Sequence, residues 1–86
     1  MIREVWQAAF GEDVTTKPKS GPDQHRVLCP FHHERNPSCD VSIRKDAFIC
    51  RSCGKKGGYL DVVVLAGYAD TRASAARWLE NHGVRL

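Results

Sequence analysis

The sequence contains no apolar run long enough to cross a bilayer. Its longest stretch, Leu60 to Ala66, is interrupted by Asp61 and falls far short of the roughly 20 residues that a membrane helix needs. No secretory leader is expected, because the opening Met1-Ile2-Arg3-Glu4-Val5-Trp6 is charged from its third residue and has no apolar run long enough for one. A cytoplasmic location is the expectation, with no membrane partner, and thiols stay reduced there. Acidic residues are few, ten in all, and scattered, so nothing suggests the carboxylate cluster of a two-metal catalytic site. No nucleophile–base pair is evident either. Both absences argue against an independent enzyme.

The 86 residues fit one domain, taken as 1–86. A domain this small buries a modest fraction of its surface and gains from a cross-link. Four cysteines and four histidines suggest where that cross-link arises. In a reducing compartment they read as metal ligands rather than as a disulfide framework.

The net charge of +3 is unevenly placed. Residues 17–56 hold nine lysines or arginines against four acidic residues, a local +5, while the flanks carry −2. Zn²⁺ held by three thiolates and one neutral imidazole contributes −1, which leaves the segment near +4. Basic charge gathered around a metal site suits a polyanionic partner, and it equally suits a solvated surface.

Residues 2–10 read as a helix, with Ile2, Val5, Trp6, Ala9 and Phe10 on one apolar face and Gly11 as its stop. Trp6 and Phe10 are expected in the core. Glu12 to Gln24 is polar and reads as a loop. Residues 25–29 form a short strand that delivers Cys29, with His25 at the sheet edge. Residues 38–44 alternate, with Cys39, Val41 and Ile43 on one face and Asp40, Ser42 and Arg44 on the other. Lys45-Asp46 is a hairpin turn without the usual glycine, and 47–50 returns. Three or four antiparallel strands result. After Gly57-Gly58, Leu60, Val63 and Val64 have helical spacing, but three consecutive valines favour a strand, so the local pattern leaves the segment open. Residues 70–82 predict a helix capped by Asp70 or Thr71 and ended by Gly83.

The clearest signal is Cys29-x2-His32-x17-Cys50-x2-Cys53. A two-residue gap turns the chain tightly enough to aim both side chains at one ion, and two such turns joined by a hairpin complete a tetrahedron. Pro30 stiffens the first turn, and Gly54 follows the second, where a left-handed backbone is often needed. Four protein ligands leave no open position, so one structural Zn²⁺ is expected, and folding would depend on it. His33 could replace His32, although the two-residue spacing favours His32. Cys39 is expected to be a small buried hydrophobe rather than a ligand.

These residues carry a resemblance. Cys29-Pro30-Phe31-His32-His33-Glu34-Arg35-Asn36-Pro37-Ser38, Val41, Phe48-Ile49-Cys50-Arg51-Ser52-Cys53-Gly54 and Gly57-Gly58 together resemble the CHC2-type zinc-binding domain of bacterial and phage DNA primases. The zinc core spans about 25–66. The resemblance implies a small α+β zinc-ribbon domain: a short antiparallel β-sheet with zinc knuckles, flanked by an N-terminal helix and two C-terminal helices. It implies the same four zinc ligands and makes the segment after Gly58 helical. Two positions depart from the family, Cys39 where a bulky aromatic is usual and Tyr59 where a small or acidic residue is usual. A primase catalytic domain has no room in 86 residues.

The resemblance also implies a partner, single-stranded DNA template, with support of primer initiation by a separate catalytic domain. A primase catalytic domain, a helicase or another replication protein would be the protein partners. Arg35, Arg44, Lys45, Arg51, Lys55 and Lys56 are the candidates for contacting nucleic acid. Arg72 and Arg77, on the C-terminal helix, are expected to lie far from them. The alternative is a zinc-ribbon interaction module that docks a replication or transcription protein without touching nucleic acid.

Overall fold

A computed structural model describes residues 1–32 and 35–86. Helix α1 spans Ile2–Phe10 as its apolar spacing predicts, burying Ile2, Val5, Trp6 and Ala9. Gly11, at φ +72°, takes the left-handed conformation that ends it, and its N–H reaches the Gln7 carbonyl at 2.8 Å.

Five strands follow: β1 Lys19–Gly21, β2 Gln24–Val27, β3 Cys39–Ser42, β4 Ala47–Cys50 and β5 Lys56–Gly58. They form one antiparallel sheet in the order β1-β2-β3-β4-β5. Two of these strands were not expected as strands. The polar stretch 12–24, read as loop, contains a 3-10 turn at Val14–Thr16 and strand β1. The segment around Gly57 contains β5. Both are three-residue edge strands with little side chain to bury, so no apolar alternation marks them.

β1 changes the place of His25. Expected at the sheet edge, His25 lies between β1 and β3 and is buried, with Nδ1 2.8 Å from the Lys17 carbonyl. The β3–β4 connection is longer than expected, four residues rather than two. Strand β3 stops at Ser42, paired with Ala47, so Ile43 and Arg44 belong to the turn. Asp46 adopts φ +51° there, the conformation the absent glycine would have supplied.

Helix α2 covers Tyr59–Leu65 and α3 covers Arg72–Asn81. The valine segment is therefore helical, and Val62 and Val63 are fully buried. In α2 the Asp61 carboxylate accepts the Gly58 N–H at 2.9 Å, which satisfies a donor the helix leaves open. In α3 Thr71 is the cap: its Oγ1 accepts from the Ser74 N–H, and Ser74 Oγ accepts from the Thr71 N–H.

One apolar cluster joins one face of the sheet to the helices, with α1 and α3 each packed on α2. There Val27, Cys39, Val41, Phe48 and Cys50 meet Ile2, Val5, Trp6, Val62, Val63, Ala75 and Leu79. Each fully buried Val, Ile or Leu side chain contributes about 1.5–3 kcal/mol. Trp6, Phe10, Phe31 and Phe48 form one aromatic cluster, with Trp6–Phe10 centroids 5.0 Å apart and edge-to-face. No helix among the described residues is long and apolar enough to cross a membrane.

Candidate metal centre and nucleic-acid interface

The sheet brings the two half-sites together. β2 and β4 flank β3, so Val27 and Cys50 both lie beside Cys39. Cys29 leaves the end of β2 two residues beyond Val27, and Cys50 ends β4. Cys29, His32, Cys50 and Cys53 converge, with all their donor atoms within 4.8 Å of one another. Cys29 Sγ is 3.8 Å from Cys53 Sγ, and Cys50 Sγ is 4.0 Å from His32 Nδ1. A tetrahedral zinc with Zn–S distances near 2.3 Å has S···S edges of about 3.8 Å. The donor set and its spacing thus fit one structural zinc ion. Such an ion would cross-link the two knuckles that carry Cys29 and His32 and Cys50 and Cys53.

Local backbone geometry prepares these sulfurs for a cation. Gly54, at φ +76°, turns the second knuckle so that its N–H reaches the Cys50 carbonyl at 2.9 Å. Burial opposes ionisation of Cys50. Hydrogen bonds from the Ser38 hydroxyl, 3.4 Å away, and from the Cys53 and Ser52 amides outweigh it and draw the thiol down to about 6. Burial pushes Cys29 up to about 12, against a hydrogen bond from the Phe31 amide and helped by the neighbouring Cys50 and Cys53 thiols. With no cation between them the sulfurs cannot all carry charge at neutral pH; a divalent ion removes that conflict.

Cys39 is fully buried in the core and is not one of the four converging groups. Burial raises its thiol well above the usual range, as for a small hydrophobe. The alternative ligand His33 lies outside the described residues.

The face of the sheet opposite the helices carries the cations. On it Gln24 and Arg26 of β2, Asp40 and Ser42 of β3, Ala47 and Ile49 of β4 and Lys56 of β5 lie in register. Of the expected contact residues, Lys45 and Lys56 line a cleft of about 530 Å³ on this side, together with Gln24, Ser42 and Ile49. Arg72 lines it too, which corrects the expectation that it lies far away. The α2–α3 turn brings it back to Asp61, with Nε 3.1 Å from Oδ1. Arg44 is in the β3–β4 turn rather than on a strand face. Arg35 is exposed before β3, and Lys55 is exposed beside β5.

Arg51 meets a partner that sequence reasoning did not anticipate. Its Nε donates to Asp40 Oδ2 at 2.9 Å, while Arg26 Nε donates to Asp40 Oδ1 at 2.8 Å. Burial raises the Asp40 carboxyl, but the two guanidiniums overcome this and hold it near 2. Arg26 was not singled out from sequence. The available signal was its place on the outward side of β2, between His25 and Val27.

Similarity to known proteins agrees with this geometry. Residues 9–85 match the CHC2 zinc finger family. A DNA primase of Mycoplasma genitalium is 30% identical over 85 residues, covering 99% of this chain and 13% of that protein. A DNA primase of Enterococcus faecalis is 51% identical over 48 residues, covering 56% of this chain and 7% of that protein. The crystal structure of the Aquifex aeolicus primase zinc-binding and RNA polymerase domains superposes over 100% of this chain and 23% of that one, with TM-score 0.63 and 25% identity. The chain therefore spans a small fraction of the length of the primases it matches.

Proposed function

We propose, from the premise that the chain belongs to the CHC2 zinc finger family and is a primase-type zinc-binding domain, that it engages single-stranded DNA template and supports primer initiation by a separate catalytic domain. Cys29, His32, Cys50 and Cys53 hold its zinc, and residues 1–86 act as one domain. The zinc staples the sheet, and the outer face of the sheet meets the strand. The module makes no primer by itself, because its metal has four protein ligands and, among the described residues, no three carboxylates gather where they could hold catalytic metal ions.

One observation carries this reading: the cations converge on the face that the helices leave open. Arg26, Lys45, Arg51, Lys56 and Arg72 gather there around Ile49, which is 44% exposed. Cations neutralise phosphates, and an exposed apolar side chain among them offers a surface for bases. Arg35, Arg44 and Lys55 add charge at the rim. Leu28 and Ile49, both exposed, also support the second reading, a face that docks a replication protein.

Binding of a labelled single-stranded oligonucleotide at two salt concentrations tests the proposal. Affinity in the micromolar range or weaker, on the order of 10⁻⁶–10⁻⁴ M and falling with salt, is expected. Absence of binding at low salt makes protein docking the better reading.

A further inference from the structure

We propose that Asp40 is a positioning residue that holds Arg26 and Arg51 as a paired guanidinium clamp for one phosphodiester of the bound strand; this rests on the single-strand reading above. Asp40 lies on the central strand β3. Arg26 is its direct cross-strand partner on β2, and Arg51 follows the end of β4 on the other side. Each guanidinium donates its Nε–H to a different carboxylate oxygen, at 2.8 and 2.9 Å, and Arg26 Nη2 adds a longer contact at 3.4 Å.

Exposure separates the three groups. The Asp40 side chain is 2% exposed, whereas Arg26 and Arg51 are 41% and 68% exposed. The anion is therefore the covered base of the cluster, and the cations are its open surface. A guanidinium has five N–H donors in a fixed fork, so anchoring through Nε leaves others for a ligand. Neutralising Asp40 would take one arginine. Two leave a net +1 at a fixed place on the open face, and a phosphodiester carries the complementary single charge. Two forks anchored on one carboxylate also lose less side-chain freedom when they bind than two free arginines would.

Charge alone and positioning predict opposite signs. Asp40→Asn removes an anion beside the strand; if attraction were diffuse, this protein would bind a polyanion more tightly. With the arginines no longer anchored, it binds more weakly instead. Arg51→Lys keeps the charge and loses the fork, and the substituted side chain is exposed, so folding is not at stake.

The experiment measures affinity of wild type, Asp40→Asn, Arg26→Lys and Arg51→Lys for a labelled oligothymidylate across a salt series, with zinc content and thermal unfolding followed for each. Expected is a loss of about fivefold or more for each lysine variant at wild-type zinc content, and weaker, not tighter, binding by Asp40→Asn. If Asp40→Asn fails to fold, the lysine variants decide. Unchanged binding by Arg51→Lys and Arg26→Lys, or tighter binding by a folded Asp40→Asn, overturns the clamp while the single-strand reading stands. No binding by wild type overturns both.

Discussion

Cys39 and Cys50 face each other directly across β3 and β4, and both are fully buried, yet only Cys50 belongs to the four-donor group. Cys39 packs in the apolar layer with Val27 and Val41, whereas Cys50 ends its strand where the second knuckle begins. The difference separates a thiol packed in the core from one placed to join a metal-binding group. Protein purified without added metal should contain one zinc per chain by elemental analysis. Cys50→Ser and Cys53→Ser should lose both zinc and fold. Cys39→Ser should keep the zinc and cost about 1–3 kcal/mol, from a hydroxyl placed among apolar neighbours. Zinc lost from the Cys39 variant alone would contradict the ligand set.

Ser38 reaches the Cys50 sulfur at 3.4 Å from the residue just before β3. Such an outer partner stabilises the charged form of the ligand without touching the metal. Ser38→Ala should therefore weaken zinc retention by about tenfold in competition with a chelator, with secondary structure intact while zinc is bound. Equal retention would show that the Ser52 and Cys53 amides suffice.

Gly57 leaves no space for a side chain. A Cβ there would sit 2.5 Å from Asp61 Oδ2, and Asp61 is held by the Gly58 amide and by Arg72. Gly57→Ala should destabilise the fold by about 1–3 kcal/mol, as overpacking does. Unchanged denaturant unfolding at full zinc occupancy would show that Asp61 can swing away without cost.

Lys45, Lys56 and Arg72 line one cleft, while Arg77 lies exposed on α3 outside it. Replacing the first three by alanine should weaken single-strand binding and flatten the log–log salt slope by about 0.7 for each phosphate that is no longer neutralised. Arg77→Ala should change little. Equal losses in both sets would mean that attraction is diffuse.

Primer synthesis should be absent when the purified chain is given template, nucleotides and Mg²⁺, since no three carboxylates among the described residues gather as a metal-holding group. Asp40, Asp61 and Asp13 are each engaged with arginine. Product that survives removal of contaminating polymerases would refute this.

Local chemistry settles much of this protein. The amphipathic spacing of residues 2–10 and the glycine after them determine α1, and the pair of two-residue knuckles points to four side chains that do converge. These features are legible because each depends on neighbours within a few residues, or on a ligand set whose spacing is itself the signal. Other features were decided only by folding. Lys19–Gly21 is a strand because β2 offers it an edge to pair with, not because of its side chains. Asp46 takes the left-handed turn position because Ser42 and Ala47 are already paired. Arg72 reaches the basic cleft because α3 packs back against α2, and Asp40 becomes the base of two arginines because β2 and β4 place them on either side of β3. Pairings between residues 11 or 14 positions apart leave no periodic trace in a single chain, so the arginine–aspartate cluster on the outer face forms only once the strands are in register.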